Sequence, residues 1–182
     1  WSSCSPDFGK QGVVDRFKQI EPKVLITSDY YFYNSKRINI LEKVDSILEQ
    51  IPSIKKTIVF PYNKKEKNKI NKYLNFDEVL KYCKLDETFE RFEFNHPVYI
   101  LYSSGTTGKP KCITHGAGNV LIEHNKEFML HCDIRDNEKL FYYTTTGWMM
   151  WNWLVGGLAT GSSIFLFDGA PTYPKIDVLL EY

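Results

Sequence analysis

The segment Tyr102-Ser103-Ser104-Gly105-Thr106-Thr107-Gly108-Lys109-Pro110-Lys111 concentrates groups suited to holding phosphate. Gly105 and Gly108 have no Cβ, so the backbone there can approach an anion closely or take positive φ. Successive amides can then converge in a nest. Ser103, Ser104, Thr106 and Thr107 add hydroxyl donors, Lys109 and Lys111 add positive charge, and Pro110 restrains the exit. The string is not a Walker A loop, which needs GxxxxGK[ST]. Ser103 stands where that pattern has its first glycine, and Pro110 follows Lys109. A P-loop kinase or GTPase is therefore disfavoured, and a solvated hairpin loop is the plain alternative.

Other reactive residue types are less organised. Cys4, Cys83, Cys112 and Cys132 are scattered, without a CxxC pair or a histidine at finger-like spacing. Neither a zinc site nor a disulfide framework is suggested. They read as buried or idle thiols in a reducing compartment, so a cytoplasmic protein is expected. His96, His124 and His131 have no ligand spacing and read as surface or core. Lys64, Lys65, Lys67, Lys69 and Lys72 crowd one polar stretch. No arginine or aromatic residue interleaves them, which favours a solvated excursion over an anion patch.

The elements around the loop follow from periodicity. Val13, Val14, Phe17 and Ile20 recur at helical spacing until Pro22. Val24-Leu25-Ile26 reads as a buried strand. Ile40, Leu41, Val44, Ile47, Leu48 and Ile51 predict a long amphipathic helix ended by Pro52, and residues 57–60 a second strand. That alternation argues for a parallel sheet with crossover helices. A short helix is expected near residues 75–80, capped by Asn75 or Asp77. Strands are expected at 98–102 and 111–114, flanking the loop. Further on, Asn119 is the expected cap of a helix through Met129. A strand at 140–143, a helix over 148–158, a strand at 163–167 and a helix starting at Pro174 complete the reading.

The 182 residues are 43% hydrophobic and 25% charged, enough apolar material for a sizeable core. A formal net charge of +1 gives no global attraction to nucleic acid or an anionic membrane. The longest apolar runs fall short of the roughly 20 residues of a membrane span. The chain begins at Trp1 without a methionine or signal peptide, and it is expected to be an internal piece of a longer protein.

The ten-residue loop resembles the phosphate-loop signature of the adenylate-forming superfamily, which includes acyl-CoA synthetases, luciferases and adenylation domains of peptide synthetases. Two further segments resemble its acetoacetyl-CoA synthetase branch. They are Trp1-Ser2-Ser3-Cys4-Ser5-Pro6-Asp7-Phe8-Gly9 and Thr144-Thr145-Thr146-Gly147-Trp148-Met149-Met150-Trp151-Asn152, with Asp168-Gly169-Ala170-Pro171 closing the unit.

The resemblance implies an α/β fold: residues 1–182 would be part of the large N-terminal AMP-binding domain, mainly parallel sheets with crossover helices, without the C-terminal domain. It implies an ATP-dependent, AMP-forming acid–thiol ligase acting on small molecules (acetoacetate, ATP and coenzyme A, with Mg²⁺). Neither nucleic acid nor membrane is an expected partner. Ser103, Ser104, Gly105, Thr106, Thr107, Gly108 and Lys109 would hold the β and γ phosphates. Trp148, Met149 and Met150 would wall the acyl group, a flat aromatic surface beside deformable thioethers. The alternative for these three is helix core. Asn152 is a candidate donor to the keto oxygen. His115 reads as structural, because an ionised carboxylate needs no general base. Lys36 and Arg37 are expected in a turn near the coenzyme A 3′-phosphate. No catalytic residue is expected within the piece; the ribose-binding Asp and adenylating Lys would lie beyond Tyr182. Another short acid, such as acetate or propionate, and a non-enzymatic nucleotide-binding fragment are the rival readings.

Overall fold

The computed structural model describes residues 1–63, 65, 72–84, 88–103 and 108–181. It divides into two compact units.

One unit comprises Pro6–Phe89 and Gly169–Tyr182. Its first helix, α1 (Lys10–Ile20), buries Val13, Val14 and Phe17. The helix ends where Glu21 turns left-handed (φ 46°) and returns its N–H to the Phe17 carbonyl. Pro22 then prevents continuation. Strand β1 (Val24–Ser28) follows, then a hairpin of β2 (Tyr30–Tyr33) and β3 (Lys36–Asn39). Helix α2 (Leu41–Leu48) leads to β4 (Lys56–Phe60), which pairs parallel with β1. The short β5 (Leu74–Asn75) adds to β4, also parallel. The expected strand–helix–strand crossover is therefore present, but α2 is shorter than its apolar pattern: Ile51 is buried beyond its end.

The hairpin was not anticipated. Asn34 and Ser35 occupy its turn with φ of 48° and 60°, the positive values a tight two-residue turn requires. Lys36 and Arg37 consequently lie on β3 rather than in a turn. Asp29, 5% exposed, ties the hairpin to the sheet. Its Oδ1 accepts from the backbone N–H of Tyr30 (3.0 Å) and Tyr62 (2.9 Å). Its own N–H donates to the Phe60 carbonyl, and its carbonyl accepts from Ile40.

Strand β1 is not buried on both faces. Val24 and Ile26 remain 49% and 41% exposed, while Val59 and Thr57 are buried on the opposite face of β4. Alternate residues of a strand point to opposite faces, and the described residues cover one. Helix α3 (Phe76–Tyr82) is capped as expected, with the Asn75 side chain accepting from the Asp77 N–H at 2.9 Å. Lys72 pairs with Asp45 at 2.5 Å. The Tyr73 hydroxyl donates to the same carboxylate, and both bonds hold the Asp45 carboxyl below its ordinary value. Lys64, Lys67 and Lys69 lie outside the described residues. No helix starts at Pro174: it follows a cis bond from Tyr173, and only a 3₁₀ turn, Val178–Leu180, comes after it.

The other unit comprises Trp1–Ser5 and Glu90–Asp168. Strands β6 (Pro97–Ser103) and β7 (Lys111–Gly116) form an antiparallel hairpin with Ser103 opposite Lys111. Helix α4 (Ala117–Lys126) follows and continues as a π-helical turn, Glu127–His131. Asn119 is not its cap. The N–H groups of Ala117 and Gly118 donate to the carbonyls of His96 and Phe94, so the helix starts at Gly116 on backbone acceptors. Strand β8 (Lys139–Phe141), helix α5 (Met149–Gly156) and strand β9 (Ser163–Phe165) complete a second crossover, with β8 and β9 parallel. Phe128, Leu140 and Leu154 form its core, with Ile134, Trp153 and Ile164 against them. Helices α4 and α5 approach closely at Gly156, where a Cβ would stand 2.3 Å from His124 Nδ1.

None of the four cysteines is in a disulfide; Cys83, Cys112 and Cys132 are exposed and Cys4 is half-buried, so of the two expected states, buried or idle, burial is not the one seen. Among the described residues, no helix is long and apolar enough to cross a membrane.

Candidate nucleotide and acyl site

The glycine- and hydroxyl-rich loop lies between the antiparallel strands β6 and β7. Its near stem ends at Ser103, which is half-buried. On its far side Gly108 has φ 157°, with nothing within 4 Å of where a Cβ would stand. That glycine is there for backbone freedom rather than for space. Lys109 and Lys111 are exposed. The described part of the loop is therefore open to an anion and is not sealed in the core. Ser104, Gly105, Thr106 and Thr107 lie outside the described residues.

Trp148 occupies the N-cap of α5 with extended backbone, and is 63% exposed. Met149 is 54% exposed and Met150 is half-buried. The rest of the helix is divided as its composition requires: Leu154 joins the core and Trp153 packs on Phe128 at 4.7 Å between ring centroids. An apolar recess in this unit is lined by Tyr142, Tyr143, Thr144, Trp151 and Phe167 among others, and not by Trp148, Met149 or Met150. The first three of these lining residues come directly after β8, at the carboxyl end of a parallel pair, where open sheets place ligands. That position is a second signal for a ligand site, beside the Trp-Met pattern at the start of α5.

Two polar atoms nearby are unusual. Among the described residues, Thr145 Oγ1 and Asn152 Nδ2 are buried and find no hydrogen-bond partner. A buried donor left unpaired costs roughly 1–3 kcal/mol.

The histidines are structural. His115 on β7 faces Tyr99 across the hairpin at 5.1 Å. His96 stacks on Phe92 at 4.2 Å, and His131 Nε2 lies 3.9 Å from Glu127. Burial holds the His124 imidazole below its ordinary 6.5; Glu123 opposes this and His115 reinforces it. The fold therefore favours neutral His124. Its contribution to stability is intact above the unfolded value near 6.5 and is lost as pH falls through the lower folded value. An NMR titration of the His124 ring, assigned through His124→Gln, is expected to give a midpoint under 6.5; a midpoint above it contradicts the packing against α5.

On β3, the Arg37 guanidinium lies 3.6 Å over the Tyr30 ring and donates from Nε to Asn39 Oδ1 at 3.2 Å. Lys36 and Arg37 are both exposed.

A family model described as AMP-binding enzyme matches residues 2–182. The chain belongs to the AMP-binding enzyme family. It is similar to the acetoacetyl-CoA synthetase of Gallus gallus, 49% identical over 189 residues, covering 100% of this chain and 28% of that protein. The acetoacetyl-coenzyme A synthetase of Rhizobium meliloti is 47% identical, with the same shares covered. Malonamoyl-CoA synthetase vrtB of Penicillium aethiopicum is 41% identical over 95% of this chain and 25% of its own length. Among solved structures, acetoacetyl-CoA synthetase from Streptomyces lividans superposes with a TM-score of 0.90 at 43% identity, covering 98% of this chain and 27% of that one. This AMP-binding segment thus spans about a quarter of the length of these relatives.

For an AMP-binding enzyme the donor set is chemically apt. Hydroxyls, glycine amides and a lysine ammonium match phosphate oxygens. No group of three His, Cys, Asp or Glu suited to a metal occurs among the described residues.

Proposed function

We propose that this chain is a segment of a longer acid–thiol ligase, the parent, which activates acetoacetate with ATP and then forms acetoacetyl-CoA. The observation that carries the reading is 49% identity to an acetoacetyl-CoA synthetase across the whole chain. In the first half-reaction a carboxylate oxygen attacks the α-phosphorus of ATP, and the bond to the β-phosphate oxygen breaks to release pyrophosphate. The acid is already ionised, so no base is needed. The difficulty is electrostatic, since an anion must approach a polyanion and pyrophosphate must depart. Ser103, Ser104, Gly105, Thr106, Thr107, Gly108 and Lys109 hold the β and γ phosphates and the leaving group with preorganised donors. Bound Mg²⁺ supplies further charge neutralisation. In the second half-reaction the coenzyme A thiol displaces AMP from the acyl group and gives up its proton.

Trp148, Met149 and Met150 wall the acid, and Asn152 Nδ2 donates to its keto oxygen. The malonamoyl-CoA synthetase at 41% identity favours a second reading, in which the acid is malonamate. Both acids carry a carbonyl on the third carbon, so one donor serves either. ATP–pyrophosphate exchange by the parent across acetate, propionate, butyrate, acetoacetate and malonamate tests this. Acetoacetate is expected to give the highest kcat/KM; a maximum with acetate or propionate overturns the acid assignment. Trp148→Ala is expected to shift preference toward longer acids by about tenfold. Unchanged ratios across the panel remove Trp148 from the pocket.

A further inference from the structure

The conspicuous Ser-rich start of the chain has no role in the chemistry above, yet it touches both halves of the site within one unit. The Ile100 N–H donates to the Trp1 carbonyl at 2.8 Å, so the segment runs beside β6. Ser2 Oγ donates to the Ile100 carbonyl at 2.9 Å and reaches the Tyr102 hydroxyl at 3.0 Å. Tyr102 immediately precedes Ser103, where the phosphate loop begins. The next residue turns to the other side: Ser3 Oγ donates to the Thr146 carbonyl at 2.5 Å. Thr146 reciprocates, its Oγ1 donating to the Cys4 carbonyl at 3.3 Å. From Thr146 the path to Trp148 is short and fixed, because the Trp148 N–H donates to the Thr145 carbonyl at 3.1 Å.

We propose that Ser2, Ser3 and Thr146 form a positioning strap that sets the loop at 144–148 against the strand carrying the phosphate loop. The strap thereby holds the acyl wall at a fixed distance from the polyphosphate. Three features support a positioning role over simple packing. Three of the four side-chain bonds, from Ser2 to Ile100, Ser3 to Thr146 and Thr146 to Cys4, end on backbone carbonyls, so they fix chain conformation directly. The Ser3–Thr146 exchange is reciprocal, each residue bonding the other's strand of chain. The clamped loop also carries Thr145, whose buried hydroxyl finds no partner among the described residues. An attacking carboxylate must sit within a narrow distance of its target, and a small displacement of its wall weakens reaction steeply. None of the three residues touches a reacting atom; they act through Trp148 and the phosphate loop.

This rests on the ligase reading, and the experiment separates the two. In the parent, Ser3→Ala, Thr146→Val and the double variant are assayed by ATP–pyrophosphate exchange with whichever panel acid the wild type prefers. Each single variant is expected to raise KM for the acid about tenfold, as loss of one part-buried hydrogen bond allows. KM for ATP should stay within about twofold, since β6 itself is intact. The double variant should be no worse than the poorer single, because the two bonds clamp one loop. Ser3→Thr, which keeps the hydroxyl, should recover most of the affinity. If Ser3→Ala does not fold, Ser3→Cys and Thr146→Val read the same contact. A lowered melting temperature with unchanged KM for the acid, or equal rises in KM for acid and ATP, overturns the strap while leaving the ligase. A wild-type parent that exchanges with no acid overturns both.

Discussion

Lys109→Ala in the parent is expected to lower ATP–pyrophosphate exchange about 100- to 1,000-fold, while acetoacetate binding without ATP changes less than about twofold. The size follows from the kind of group removed. Lys109 is exposed beside Gly108, at the exit of a loop whose other donors are neutral. Its ammonium and that of Lys111 are the segment's positive charges, and charge-assisted bonds to phosphate are about twice as strong as neutral ones. They strengthen further once bound nucleotide excludes water. The selectivity follows from placement: Lys109 lies on the β6–β7 connection, whereas Trp148 and Asn152 lie on or beside α5. Thr106→Val, which keeps the shape of the side chain but removes a hydroxyl, is expected to act in the same direction and less severely. Equal loss of exchange and of acid binding for either variant contradicts the phosphate assignment.

The 182-residue chain by itself is expected to release no pyrophosphate above background in the presence of acetoacetate, ATP and Mg²⁺. Adenylation depends on holding acid and nucleotide together in a near-attack arrangement, and most of the rate comes from that pre-ordering. The chain spans 28% of its relatives' length. On the proposed reading it supplies a phosphate loop and part of an acyl wall. The surface agrees with this. Leu121, Ile122 and Leu130 of the α4 region are 57%, 61% and 75% exposed, and Val24 and Ile26 leave one sheet face open. Apolar surface of this extent favours association, so the isolated chain is expected to elute as oligomers in gel filtration. Sustained turnover by a monodisperse sample of the chain refutes the prediction.

The sequence made some of this legible and hid the rest for physical reasons. The crossovers β1–α2–β4 and β8–α5–β9 were readable because apolar runs and 3.6-residue periodicity report burial directly. The Asn75 cap was readable because capping is a local side-chain-to-backbone event. Three features were not. The β2–β3 hairpin turns on Asn34-Ser35, both at positive φ; serine seldom signals such a turn. Helix α4 begins on carbonyls of His96 and Phe94, acceptors distant enough in sequence that a cap search fixes on Asn119 instead. The buried appearance of Val24-Leu25-Ile26 reflects composition, while burial depends on which neighbours are present. For the site, the loop was legible as a dense string of donors. The recess along Tyr142, Tyr143 and Thr144 was not, because aromatic and threonine residues after a strand look like strand continuation. The strap was invisible for a different reason: Ser3 and Thr146 are 143 positions apart, and nothing local announces their pairing.

The most direct test of the central claim is hydrogen–deuterium exchange of the parent with and without MgATP, read on peptides covering 102–111. Slowed exchange in that stretch on adding nucleotide, abolished in Lys109→Ala, is the predicted result. Protection confined to other peptides, with 102–111 exchanging at the same rate in both states, contradicts the assignment of this loop to the polyphosphate.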